Sequence, residues 1–231
     1  MVNVSILSHY YNNSSMVTRF CQFLKTLSSV GGNSFECVLV DDASRESVNT
    51  ALFDGIPRLR VFRVTEDIPW NQPGARNLAA MVADGNVLFF LDIDHIVINN
   101  TLGALTETIE KVGARERLLF HRTSISAGEY KEIKSHLNSF AIRRDEFNRI
   151  GGYDERFSGS YGCDDKYFIW RAVKIGIVDR LVDITLEVDV GGKTTGLDRS
   201  VEANRELYAQ LTLGADMVPT VRRNLAFEQI Y

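Results

Sequence analysis

The chain is short of cysteine, of net positive charge and of long apolar runs, and each shortage removes a class of protein. Its 231 residues hold three cysteines, Cys21, Cys37 and Cys163, far apart and in no CxxC pair. That spacing excludes a disulfide scaffold and a cysteine-built zinc site, and predicts reduced thiols, two of them in the core. Lys and Arg number 26 against 30 Asp and Glu, a net charge of −4. Such a balance offers no footprint for nucleic acid and no polybasic membrane surface. No apolar stretch, Val87–Leu91 included, comes near the length of a transmembrane segment. The opening MVNVSILSHYYN lacks the basic start and apolar run of a signal peptide, so a cytoplasmic location is expected. Among the four histidines no Ser/His/Asp triad can be argued, and no GxSxG occurs.

An apolar content of 45% and a charged content of 24% are those of an ordinary globular protein. The length suits one domain, 1–231, with no internal repeat or linker. The first half alternates strand-like and helix-like segments. Val2–Leu7 reads as a strand, and Met16, Phe20, Phe23, Leu24 and Leu27 then recur at helical spacing until Gly31-Gly32-Asn33. Phe35–Val40 reads as a second strand, Ser44–Phe53 as a helix and Leu59–Val64 as a third strand. Pro73–Ala83 reads as a helix with proline at its start, and Val87–Leu91 as a central strand. This order predicts an α/β fold, an open parallel sheet with helices on both faces. Later segments are less regular: strands at Leu118–His121 and Ser139–Ile142, helices at Asp145–Arg149, Lys166–Ile175 and Val201–Leu211, and an unassigned tail.

Ligands of such sheets bind beyond the carboxyl ends of the strands. There the sequence has His9–Asn12, then Asp41-Asp42, then Asp92-Ile93-Asp94. Residues i and i+2 of an extended segment share a face, so Asp92 and Asp94 can point the same way. Their mutual repulsion, about 1 kcal/mol in water at 4 Å, is relieved by a divalent ion with oxygen preference, Mg²⁺ or Mn²⁺. A solvated strand-end turn gives the same pattern by chance. Asp41-Asp42 has a helix cap and the acidic pair of a receiver domain as rival readings, although a receiver begins at that strand and here a βα unit precedes it. Arg76, near the start of a helix, suits a phosphate or is a surface arginine. Asp164-Asp165 follows a glycine-rich turn and supplies a general base or a helix cap. Of the histidines, His9 lies within reach of a nucleotide and His95 beside the acidic pair, whereas His121 and His136 read as structural or surface residues.

Six segments carry a resemblance. VSILSHYYN is similar to VSVIIPTYN, VLVDDAS to VVDDGS, and GARNLAA contains ARN. FFLDIDH is similar to FLDADD, NSFAIRRDEFNRIGGYDERF to a stretch leading into GGFDE, and YGCDDKYFIWR to YGWEDxDLxxR. In this order they resemble the family 2 glycosyltransferases with the GT-A fold, from about Val2 to Gly176. The resemblance implies a Rossmann-like, mostly parallel sheet with a nucleotide-binding half (1–98), an acceptor-side catalytic half (99–190) and a C-terminal helical tail (191–231). It implies transfer of a sugar from a nucleotide diphosphate, a UDP-sugar, to an acceptor hydroxyl with inversion. Tyr11, Asn12, Asp41, Asp42, Arg76 and Asp92 would hold the nucleotide. Asp92 and Asp94 would hold Mn²⁺ or Mg²⁺, and Asp165, supported by Asp164, would be the base. Any membrane association would be peripheral, through the acceptor. The chain departs from the family at His9 in place of proline, Cys163 in place of a bulky aromatic and Asp164 in place of glutamate. It also has no histidine after His136, where Asp189 stands as a substitute metal ligand. These departures leave a nucleotide-sugar binder with weak or lost catalysis as the alternative. The donor, the acceptor (expected to meet 124–138) and the oligomeric state are not legible.

Overall fold

Strands that are apolar on both faces must be covered on both faces, and four such strands form the centre of the sheet. In a computed structural model the described residues are 3–31, 35–46, 48–98, 104–126, 129–189, 196–214 and 216–231. Chain order begins β1 (Val4–Tyr10), α1 (Ser14–Gly31), β2 (Phe35–Asp41), a 3₁₀ turn (Thr50–Phe53), β3 (Leu59–Val64), α2 (Gln72–Val82) and β4 (Val87–Phe90). Strands β3, β2, β1 and β4 lie side by side and all parallel. Side chains alternate between the faces. Val4 and Ile6 of β1 join Cys37 and Leu39 of β2 under Phe20, Phe23, Leu24 and Leu27 of α1. Leu7, Val38 and Val40 face the other way, under Ala75, Leu78 and Ala79 of α2. The helical spacing that marked α1 thus buries one stripe, and a fully buried phenylalanine such as Phe20 or Phe89 contributes about 1.5–3 kcal/mol.

The second half continues with β5 (His95–Val97), α3 (Leu105–Glu110), β6 (Glu116–Ser126), β7 (Glu129–Ile133), β8 (Phe140–Arg143), α4 (Arg144–Ile150) and a 3₁₀ turn (Glu155–Phe157). It ends with α5 (Asp164–Lys174), β9 (Val178–Val188), α6 (Glu202–Thr212) and β10 (Phe227–Gln229). The sheet runs β10-β3-β2-β1-β4-β8-β6-β9-β5, with β7 hairpinned onto β6. β8 pairs antiparallel with β4, Phe140 opposite Phe90. That register delivers the segment before β8 to the carboxyl end of β4, where Asp92 and Asp94 begin. No helix among the described residues is long and apolar enough to cross a membrane.

Three expectations are corrected. β1 runs on to Tyr10, so His9 and Tyr10 lie in the strand and the loop is confined to Tyr11–Asn13. Ser44–Phe53 is not a helix: only Thr50–Phe53 coils, capped by Asn49, whose side chain accepts from the Ala51 N–H. Its first residues are spent on loop contacts instead. The Ser44 N–H donates to Asp41 (2.8 Å), the Arg45 N–H donates to the Asn12 side chain (2.8 Å), and Ala43 sits at φ 57°. Strands β5, β7, β9 and β10 were not anticipated, and β10 ties the C-terminal tail onto β3. Gly31 is the last helical residue of α1, and Gly32 and Asn33 lie outside the described residues.

Candidate functional site

The carboxyl ends of β1, β2 and β4 open onto a continuous cleft. At one end a cavity of about 800 Å³ is lined by Tyr10, Tyr11, Asn12, Ser44, Arg45 and Asn49, among others. At the other, a cavity of about 560 Å³ is lined by Asp92, Asp94, His136, Asp164 and Asp165. A smaller hollow joins them past His9, Asp42, Trp70 and Gln72. The first cavity is shaped by polar loop contacts. The Asn12 N–H donates to Ser44 Oγ (2.9 Å), and the Tyr11 hydroxyl donates to Asp67 (3.0 Å). Asp41 is fully buried and accepts from Arg63 at 2.8 Å. Asp42 accepts from the Asn71 amide at 2.8 Å. Burial, reinforced by Asp41 and Asp67, pushes the Asp42 carboxyl up to about 7 despite the Asn71 bond.

Arg76 is 3% exposed and lies beneath the acidic pair. Its guanidinium donates to Asp92 Oδ1, to the Asn138 carbonyl (2.7 Å) and to the Tyr153 hydroxyl (3.2 Å). It also faces the rings of Tyr153 and Phe90, at 5.4 and 5.7 Å. The neighbouring Asn77 donates to the Tyr153 carbonyl (2.9 Å) and to Glu155 (2.6 Å), and accepts from the Tyr153 N–H (2.9 Å). Gly152, at φ 68°, is what lets this turn close, since a Cβ there would sit 2.1 Å from Arg222 and 2.7 Å from the Asn77 amide. The Ala75-Arg76-Asn77 and Gly151–Glu155 segments are therefore one unit, bolted together under Asp92.

Asp92 is 14% exposed on its side chain, and its second oxygen meets His136 Nδ1 at 2.9 Å. Burial opposes its ionisation, but Arg76, then His136 and His95, outweigh burial and hold the carboxyl well below the usual range. Asp94 is more open, 35% exposed, and meets His95 Nδ1 at 2.6 Å. One oxygen each of Asp92 and Asp94 and one ring nitrogen of His95 all lie within 4.8 Å of one another. Two carboxylates and an imidazole at that spacing fit a divalent ion that takes oxygen and nitrogen donors. His9, at the end of β1, is kept neutral: burial above all, then Arg76, lowers it to about 4 against the pull of Asp92 and Asp94.

The opposite wall comes from the second half. Cys163, at φ 66°, turns the chain into α5, so that Asp164 and Asp165 open the helix toward the cleft. Asp164 accepts from the Gln72 amide at 3.0 Å, and burial followed by repulsion from Asp165 raises it to about 6. Asp165 accepts the Lys166 N–H at 2.7 Å. Trp70 and Tyr161 pack at 4.6 Å, and the Arg199 guanidinium lies over both rings. The Trp70 indole N–H donates to the Asp198 carbonyl, which pins the segment before α6 across the cleft. Asn12, Ala43, Trp70 and Cys163 all hold left-handed backbone, at about 1–3 kcal/mol each, a strain concentrated around the cleft.

Tyr11 and Asn12 thus line one end of the cleft and Asp42 the hollow beside it, whereas Asp41 lies fully buried against Arg63 and lines none of these cavities; Asp92, Asp94, Asp164 and Asp165 gather at the other end. Arg76 lies below rather than in it, and organises Asp92. His95 stands beside the acidic pair, as expected, and offers a donor atom there. His136, expected as a structural or surface residue, is a partner of Asp92, its ring 5.1 Å from that of His95. The β4–β8 register brings His136 there, and no local pattern announces it. Asp189 meets Asp94 through the backbone, its N–H donating to the Asp94 carbonyl (2.9 Å), and its carboxylate is not in the converging set. Cys21 and Cys37 are buried, while Cys163 is half-buried in the cleft wall. Of the segment expected to meet an acceptor, 127–128 lie outside the described residues.

The sequence profile described as "Glycosyl transferase family 2" matches residues 5–174. Among solved structures, residues 1–349 of TarS from S. aureus, in complex with UDP-GlcNAc, superpose with a TM-score of 0.68 at 17% identity, over 94% of this chain and 68% of that one. The longer S. aureus TarS chain superposes with a TM-score of 0.64 at 19% identity, and there 94% of this chain covers 41% of it. GalNAc-T7 with UDP, GalNAc and Mn²⁺ superposes with a TM-score of 0.62 at 18% identity, over 81% of this chain and 44% of that one. At these identities the likeness is one of fold. No curated protein matches the chain.

Proposed function

The chain belongs to glycosyl transferase family 2, and from that premise we propose that it moves a sugar from a UDP-sugar to an acceptor hydroxyl, with inversion and with a divalent ion. The observation that carries the reading is that Asp92 and Asp94, with a ring nitrogen of the buried His95 beside them, open into the same cleft as Asp164 and Asp165. The nucleoside occupies the cavity between the Tyr11–Asn12 loop and Ser44–Arg45, with Asp42 at its inner end. Asp92, Asp94 and His95 would hold Mn²⁺ or Mg²⁺. Bound there, the ion supplies positive charge that offsets the charge of the departing nucleoside diphosphate. Arg76 fixes the direction and ionisation of Asp92. Trp70, Tyr161 and Arg199 wall the cleft and exclude water from the sugar. Asp165 accepts the proton of the acceptor hydroxyl as its oxygen attacks the anomeric carbon from the face opposite the leaving group. Asp164, held by Gln72, orients the α5 terminus beside it.

Saturating Asp165→Asn with UDP and Mn²⁺ by calorimetry, and assaying the same preparation for transfer or donor hydrolysis, tests the assignment. UDP affinity is expected to match wild type while turnover is lost. Wild-type turnover by the variant would remove Asp165 from its role.

A further inference from the structure

The cavity at the α5 end has an acidic floor, and two basic residues of its wall, Lys166 and Arg205, have no part in the reaction described above. Lys166 follows Asp165 on α5, and Arg205 stands on the first turns of α6. Both line the cavity of about 560 Å³ that holds Asp92, Asp94 and Asp165. Both are exposed, and neither side chain has a hydrogen-bond or ion-pair partner among the described residues. Neither forms an ion pair with the nearest acids: Asp165 accepts the backbone N–H of Lys166 rather than its ammonium, and Glu202 is held below its usual range first by its bond from Ser200 (2.6 Å) and only then by the charge of Arg205.

The two cations come from different helices yet line one cavity, with the Cys163 side chain in the same lining. A small side chain at Cys163 leaves room there. Four carboxylates across the cavity would repel an anionic ligand unless cations stood near its charge. An ammonium and a guanidinium on one wall meet that condition, and the guanidinium fork matches two oxygens of a phosphate or carboxylate.

We infer that Lys166 and Arg205 form an anion subsite beside Asp165, which takes a phosphate or carboxylate carried by the substrate near its reacting atoms. The anion belongs to the acceptor or to the donor sugar. The inference rests on the transferase reading above, and the experiment separates the two.

Wild type is first titrated with UDP and Mn²⁺. The loaded protein is then titrated with glycerol 3-phosphate and with glycerol by ligand-observed NMR. In parallel, UDP-glucuronate and UDP-glucose are compared with Mn²⁺ by calorimetry. The anionic member of one pair is expected to bind about tenfold more tightly or better, the worth of one charge-assisted hydrogen bond. Preference within the first pair assigns the anion to the acceptor, and within the second to the donor sugar. Lys166→Gln and Arg205→Gln should each abolish that preference and leave UDP–Mn²⁺ affinity unchanged. Absence of preference in both pairs, or its persistence in both variants, overturns the subsite while leaving the transferase reading intact. Loss of UDP affinity in the variants also overturns it, by giving the cations to the diphosphate. Failure of wild type to bind UDP at all removes the transferase reading, and the subsite with it.

Discussion

Replacing Arg76 by methionine keeps a stem of similar length and removes the charge from beneath Asp92. Both groups are well inside, at 3% and 14% side-chain exposure, so the pair is little screened. Breaking a buried pair by deleting one partner costs about 3–5 kcal/mol, because the other charge stays behind unpaired. His136 remains on the second Asp92 oxygen, which limits the cost of the stranded carboxylate. The Asn138 carbonyl loses its donor and the Tyr153 and Phe90 rings lose their cation. Against a total stability of about 5–15 kcal/mol for a domain, a loss of this size is large. Urea unfolding should show the midpoint fall with an unchanged slope. The pH dependence has a definite sign. Arg76 helps hold Asp92 well below the usual carboxylate range, so the pair's contribution is complete above about pH 4 and fades as pH falls through the folded value. The gap between wild type and variant should be constant near neutrality and narrow in acid. Adding Asp92→Asn to Arg76→Met should recover part of the loss, since neither partner is then left alone. A loss below about 1 kcal/mol, or a gap that does not narrow in acid, would refute the reasoning.

Asp42 has its carboxyl raised to about 7, so its protonated form favours the fold, and this contribution is lost as pH rises from about 4 to about 7. Asp42→Asn should flatten that decline in thermal unfolding scans across the interval, and an unchanged profile would count against the assignment. Asp164, raised to about 6 mainly by burial, should give the transfer rate a rising limb near that pH, and Asp164→Asn should remove the limb from the pH–rate profile. His95→Ala should weaken Mn²⁺ binding about 10–100-fold by electron spin resonance titration, as loss of a group that holds or orients a metal ligand does.

The centre of the fold was legible because β2 and β4 are apolar on both faces, α1 carries one buried stripe, and α2 opens on a proline. Asp41-Asp42 and Asp92–Asp94 were legible for a related reason: they stand where those strands end. The segment after Asp42 was not, because its helical pattern competes with contacts to Asn12 and Asp41 that no local window contains. β9 had a signal that went unread: Val182, Ile184, Leu186 and Val188 alternate with polar residues and are all buried. His136 had none. Its place beside Asp92 follows from the pairing of β4 with β8 across about fifty residues of chain, and pairing of that range is a tertiary fact. The position of Arg76 near a helix start suits a phosphate or a surface arginine, whereas the Tyr153 ring and the buried Asp92 carboxylate claim it.

The central claim is that Asp92 and Asp94 bind a nucleoside diphosphate through a divalent ion. Calorimetric titration of UDP into wild type and Asp94→Asn, each with Mn²⁺ and with chelator, tests it most directly. The account predicts tight UDP binding to wild type only when Mn²⁺ is present, and weak binding to Asp94→Asn in both conditions. Equal UDP affinity with Mn²⁺ and with chelator, or an Asp94→Asn variant that keeps the Mn²⁺ dependence in full, would contradict it.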